Sequence, residues 1–227
     1  ITCLAVIPVR ESYFNFKEVP YQELNGCSLL EIAILAAANS EKICDVIVSS
    51  ESQQVLDYSK HLEDEGKVPK HIRLKRSKDI KTSKNIPIHD FMLKAGRYYQ
   101  ELKGITPDVV TFLNLHAVYR QTKHIDAALN VLKITESDSV VSVQEEREPM
   151  FSHGKHGLDL INPGRFKDLA FDRERMYRFN GSIIASWWEV LKTHSVFGEK
   201  IGYIEMSFEE SLQAKTATML DYLNMKN

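Results

Sequence analysis

The chain has little cysteine, little glycine and no excess of either charge. Three cysteines in 227 residues, at Cys3, Cys27 and Cys44, with no C-x-x-C pair, give neither a disulfide framework nor a zinc site. The odd count points to reduced thiols and a cytoplasmic setting. Ten glycines are spread thinly, and none lies between Arg10 and Asn25. Neither G-x-G-x-x-G nor G-x-x-x-x-G-K-[ST] occurs, which argues against a dinucleotide dehydrogenase and a P-loop nucleotidase. There is no D-x-D, the metal motif that a sugar transferase of similar sheet topology would need. No run of about 18 apolar residues exists, so no membrane-crossing helix is expected. Residues 1–10 turn polar too soon to read as a secretory leader. Lysine plus arginine is 29 and aspartate plus glutamate 31, a net charge of −2 that speaks against general nucleic-acid binding but allows a local basic pocket.

The chain does have a 43% hydrophobic fraction, enough for a substantial core, and a regular alternation of strand and helix patterns. Residues 2–9 (TCLAVIPV) read as a strand buried on both faces. Ser28 and Glu31 form a capping-box pattern before LLEIAILAAA. Residues 44–49 read as a strand, Ser50 and Gln53 as a second capping box, and 70–75 as a short strand. A helix is predicted over 87–102, with Pro87 in its first turn, then strand 108–115, helix 122–134 and strand 138–143. The alternation breaks over 144–175, which is charged, holds two prolines and three glycines, and reads as an arm. Strands at 181–186 and 201–206 and a helix at 209–223 complete the chain. Repeated βα units imply one α/β domain over 1–227, with a mostly parallel sheet between two helix layers. Ligands of such sheets bind beyond the carboxyl ends of the strands.

The residues at those ends are therefore the candidates. Arg10 follows the first strand, and a guanidinium matches two phosphate oxygens. After the fourth strand come Asn114, suited to a base edge, His116, which reads as a histidine packed on the sheet rim, and Arg120, suited to phosphate. Tyr177, Arg178 and Asn180 precede a strand, where they either contact a sugar or finish a loop. The acids Glu145, Glu146 and Glu148, the pair Asp172 and Glu174, and the histidines His153 and His156 read as solvated arm residues. Trp187 and Trp188 read as core or interface anchors.

In order and spacing, these blocks resemble the acylneuraminate cytidylyltransferases, the CMP-sialic acid synthetase family. Ile7-Pro8-Val9-Arg10 stands where that family has I-P-A-R, and Asn25-Gly26-Cys27-Ser28-Leu29 where it has N-G-K-P-L, with no gap between them. DVIVS at 45–49 matches the second strand, Arg76 an arginine of the L-R-P segment, and DVVTFLNLHAVYR at 108–120 the D-I-V-V-L-L-Q-P-T-S-P-L-R block. DSVVSV at 138–143 is nearly verbatim, and Tyr177-Arg178-Phe179-Asn180-Gly181 matches Y-R-x-N-G. The resemblance implies a three-layer, Rossmann-like nucleotidyltransferase fold with a protruding dimerisation arm. It implies a reaction in which CTP gives CMP to a nine-carbon acidic keto sugar, with Mg2+ on the phosphates. Arg10, Arg76 and Asn114 would then bind nucleotide, and Arg120, Tyr177, Arg178 and Asn180 the sugar. The arm implies a homodimer in which one subunit reaches the other's sugar site, with Phe151, Leu158, Leu160, Ile161 and Phe166 as anchors.

The departures fall on the chemistry. Glu11, Ser12, Tyr13 and Phe14 replace the family's glycines, serine and lysine, so a ring stands in place of the triphosphate cation and Glu11 adds negative charge. Ala170 replaces an arm arginine. Gln213 and Lys215 stand at the two aspartates that hold magnesium in the family's S-I-D-I-D-T. An amide and an ammonium do not bind a hard cation comparably, so Mg2+ is not expected on this chain's own carboxylates. Two readings stay open. One is a divergent cytidylyltransferase, with Arg10 and Lys215 as its catalytic cations and Lys215 in place of a metal. The other is a catalytically silent homologue that binds a nucleotide or sugar, or acts as a scaffold.

Overall fold

The computed structural model describes residues 1–13, 16–76, 87–161, 175–193 and 195–226. The expectations for Phe14, Phe166, Ala170, Asp172 and Glu174 lie outside the described residues. Strand β1 (Cys3–Val9) runs through the middle of the molecule. The segment after it, expected as a plain loop, holds a 3-10 turn (Val19–Tyr21) and a small hairpin of β2 (Glu23–Leu24) and β3 (Cys27–Ser28). Ser28 then caps α1 (Leu29–Ala38), its Oγ accepting the Glu31 N–H at 3.1 Å. Strand β4 (Asp45–Ser50) leads to α2 (Gln53–Asp64), whose N-cap is Ser52 rather than Ser50. Strand β5 (Ile72–Lys75) follows, then α3 (Ile88–Lys103), which Pro87 caps from outside.

Strand β6 (Val109–Leu113) precedes α4 (Thr122–Ile134). That helix opens on a capping box the sequence did not suggest. The Gln121 side chain accepts from the His124 backbone, and His124 Nδ1 accepts the Gln121 N–H at 3.0 Å. Next come β7 (Ser139–Glu146) and a hairpin of β8 (Phe151–Gly154) and β9 (Gly157–Leu160). The chain ends with β10 (Met176–Trp187), α5 (Trp188–Lys192), β11 (Ile201–Glu205) and α6 (Ala217–Lys226).

The sheet order is β11-β7-β10-β6-β1-β4-β5. Four of its six pairings are parallel, and β10 runs antiparallel to both neighbours. Side chains of β1 alternate between two cores, as a doubly covered strand requires. Ala5, Ile7 and Val9 join α1, α2 and α4 on one face, while Leu4 and Val6 join α3 and α5 on the other. Gly96 of α3 is set by the second core, because a Cβ there would stand 2.3 Å from the Trp188 ring.

Two boundaries depart from the sequence reading. Strand β10 begins five residues before the expected 181, because Met176–Phe179 pair with Glu146–Val143. The register then breaks around Gly181, whose φ of 72° is a left-handed turn suited to glycine. The arm is accordingly a β7–β10 ribbon with the β8–β9 hairpin between, and residues 144–146 belong to the sheet. The last helix starts at Ala217, not 209, so Gln213 and Lys215 lie in the loop before it.

Candidate functional site

The carboxyl ends of β5, β4, β1 and β6 meet on one edge, and the residue after each is polar: Arg76, Glu51, Arg10 and Asn114. Of these, Glu51 lines a neighbouring hollow, while Arg76, Arg10 and Asn114 share a cleft. These three line one cleft of about 400 Å³ together with Tyr13, Phe91, Phe112, His116 and Lys215. Arg76 is buried, 8% exposed. It donates from its terminal nitrogens to the Ser49 and Val9 carbonyls at 2.9 and 3.2 Å. Its Nε has no partner among the described residues, and the Phe91 ring lies 4.7 Å from the guanidinium carbon. Burial brings its pKa down to about 10 and Arg10's like charge adds to the shift, while Glu51 and Tyr13 oppose it.

Lys215 reaches the cleft from the 207–216 loop, which is tied down from two sides. The His116 ring is bonded through Nδ1 to the Ala214 carbonyl at 2.7 Å, and the Ala214 N–H donates to the His116 carbonyl at 2.9 Å. Nδ1–H is the donor to that carbonyl, and the bond by itself favours the protonated ring. Burial, with Lys215's charge adding, holds His116 below its ordinary value. The Tyr13 ring packs edge-on against it at 4.5 Å. One residue away, Gln213 is buried and donates through Nε2 to the Asn180 carbonyl, leaving Oε1 without a partner among the described residues. The rim-packed histidine of the sequence reading thus also positions the loop that carries Lys215.

Several expected contact residues do other work. Arg120 is 2% exposed, and its Nη1 donates to the carbonyls of Asn114 and Ser182, so it braces the strand-end loop rather than meeting a sugar. Asn180 is buried too. Its Oδ1 accepts from Ser142 Oγ at 2.6 Å and its Nδ2 donates to Ser211 Oγ at 2.9 Å, which ties the loop to the sheet. Tyr177 and Arg178 stand exposed on the ribbon, Tyr177 against the Tyr203 ring and Arg178 bonded to Gln144 Oε1. None of these four lines the cleft. Asn114 lines it, but its Nδ2 donates to the Gly181 carbonyl and its Oδ1 accepts the His116 N–H. Glu11 does not face the cleft: it lines a neighbouring hollow with Glu51 and accepts from Ser52 Oγ.

Sequence reasoning missed Phe91, on the first turn of α3, and gave His116 no part in the site. Phe91 carries no motif signal; His116 stands three residues past β6, close enough to the strand end to have been weighed as a tether.

Three cationic side chains and an aromatic wall suit a polyanion with a flat apolar part. They do not suit a divalent cation. Among the described residues no carboxylate lines the cleft, and no group of three or more His, Cys, Asp or Glu could hold a metal. The two positions where the resemblance puts magnesium ligands present a buried amide and an ammonium.

No family model matches the chain. Among solved structures, CMP:2-keto-3-deoxy-manno-octonic acid synthetase complexed with CTP superposes with a TM-score of 0.70 at 12% identity, covering 100% of this chain and 98% of the other. The 4-diphosphocytidyl-2C-methyl-D-erythritol synthase of Anaerococcus prevotii gives a TM-score of 0.69 at 11% identity, over 99% and 95%. The fold is thus the Rossmann-like fold of cytidylyltransferases. A curated relative, the CMP-N,N'-diacetyllegionaminic acid synthase of Legionella pneumophila, is 29% identical over 201 residues, 86% of this chain and 83% of its own length. The chain is thus similar in sequence to a CMP-sugar synthase and shares the fold of cytidylyltransferases.

Proposed function

We propose that this chain transfers CMP from CTP to a nine-carbon acidic keto sugar. The anomeric oxygen of the sugar forms a bond to the α-phosphorus, the bond from that phosphorus to the β-phosphate oxygen breaks, pyrophosphate leaves, and the hydroxyl proton passes to solvent. The observation that carries the reading is the convergence of Arg10, Arg76, Asn114 and Lys215 on one cleft at the strand ends. Arg10, Arg76 and Lys215 offset the charge of the phosphates, most strongly that of the departing pyrophosphate. Asn114 lines the same cleft, with its amide held by the Gly181 carbonyl and the His116 N–H, and in this reading it borders the base. The curated relative, whose name joins CMP to an acidic sugar, supports the acceptor class.

The assembly in this reading is a homodimer, with the ribbon and hairpin of each subunit reaching the other's cleft. Phe151, Leu158, Leu160 and Ile161 are exposed there, an apolar set suited to burial, and Tyr177 and Arg178 would meet the sugar carboxylate and hydroxyls. A cytoplasmic setting belongs to the same reading, and the three cysteines outside any disulfide support it. No described helix is long and apolar enough to cross a membrane. The test is pyrophosphate release from CTP with a panel of eight- and nine-carbon keto-acid sugars. Release with a nine-carbon member is expected; no release with any sugar overturns the transferase reading and leaves a silent homologue.

A further inference from the structure

The cleft read above as the nucleotide site is short of anions. Arg10, Arg76 and Lys215 line it, and among the described residues no carboxylate does. Arg76 is 92% buried by its 8% exposure, and both carbonyls it meets are neutral. Glu51 acts on it through space without forming an ion pair, and a carbonyl satisfies an N–H but does not cancel a charge, so the buried guanidinium, with Nε unpartnered among the described residues, stands ready for an anion. No described carboxylate lines the cleft beside Lys215, and the paired His116–Ala214 bonds fix the segment that carries it. Gln213 is turned away from the cleft onto Asn180.

We propose that the cleft takes a nucleotide triphosphate free of divalent metal, with the Lys215 ammonium and the Arg76 guanidinium supplying the positive charge that a magnesium ion supplies elsewhere. The inference rests on the reading of this cleft as the CTP site and deepens it. A metal-complexed triphosphate carries less negative charge than the free one, so it is the poorer ligand for a site of fixed cations. A charge-assisted contact to phosphate contributes roughly 1.5–3 kcal/mol, about tenfold or more in affinity.

The experiment is calorimetric titration of the whole protein with CTP, once with EDTA and once with excess Mg2+. Binding in EDTA is expected to equal or exceed binding in Mg2+. Lys215→Ala should weaken binding in EDTA about tenfold or more. Lys215→Asp should weaken it further in EDTA and regain affinity on adding Mg2+, because one carboxylate beside a triphosphate is a workable magnesium site. Lys215 is exposed, so both variants should keep the wild-type melting curve, which is recorded alongside. Wild-type binding that falls tenfold or more in EDTA overturns the inference, as does a Lys215→Ala variant that binds like wild type. No CTP binding under either condition overturns the site reading as well. Metal-free binding without pyrophosphate release for any sugar keeps the inference and overturns only the transferase reading.

Discussion

The two ends of the sheet use their polar residues in opposite ways. Where β5, β4, β1 and β6 finish, Arg76, Arg10 and Asn114 converge on open space, and the loop bearing Lys215 closes over them. Around β10 and β7, residues that match the same family just as well are either sealed or displaced. Arg120 and Asn180 are consumed by the backbone and by neighbouring side chains, while Tyr177 and Arg178 stand out on the ribbon. Arg76 and Arg120 make the contrast sharpest. Both are buried, both donate to carbonyls, and burial holds both near a pKa of about 10. Arg76 lines the cleft and Arg120 does not, so of the two it is Arg76 that can meet an anion there. A matched residue type says what chemistry a side chain can do; its access to a cleft says whether it does it.

The largest effect should fall on the sealed end. Arg120→Ala removes the guanidinium bonds to the Asn114 and Ser182 carbonyls and empties a fully packed site, and should cost about 3 kcal/mol or more in urea unfolding. A loss under 1 kcal/mol would show that Arg120 does not brace the strand-end loop. Asn180→Ala breaks the tie to Ser142 and Ser211 and should cost about 2 kcal/mol by the same measurement.

Next comes the tether. His116→Ala should weaken CTP binding several-fold, and should add little when Lys215 is already alanine, because contacting residues are non-additive. Full additivity in that double-mutant cycle would separate His116 from Lys215.

The pH response has a definite sign. Burial is the first cause holding His71, His116 and His124 below the ordinary 6.5, so the unfolded chain binds more protons than the folded one in this range. Their contribution is complete above about pH 6.5 and is lost as pH falls through the lower folded values. Glu210, brought to about 2 by Lys123 and the Ser207 N–H, acts the same way further down, between its ordinary 4.5 and about 2. The melting temperature should therefore fall from pH 7.5 to pH 5, and a flat or rising profile would contradict this. The smallest effect is at the ribbon, where Arg178→Ala should change stability by less than about 0.5 kcal/mol while raising the KM for the sugar.

The sheet was legible because β1 is an uninterrupted apolar run and β4, β6 and β7 are built around short β-branched stretches, the mark of strands covered on both faces. Arg10 and Asn114 were legible as cleft candidates because strand ends converge by topology, whereas Arg76 and Lys215 were reached only through the family resemblance. The burial of Arg120 and Asn180 was not, since it depends on β10 folding back between β6 and β7, a pairing no local pattern announces. The late start of the last helix was hidden because residues 209–216 carry helix-forming types, yet Gln213 and the His116–Ala214 bonds hold them in a loop. Phe91 was missed because its role comes from where α3 packs.

The most direct measurement is a crystal structure with CTP soaked in. The account predicts phosphate oxygens within hydrogen-bond distance of Arg10, Arg76 and Lys215, in the cleft bounded by Phe91 and Phe112. CTP seated instead in the hollow lined by Glu11 and Glu51, or joined to the protein through a metal on carboxylates, would contradict it.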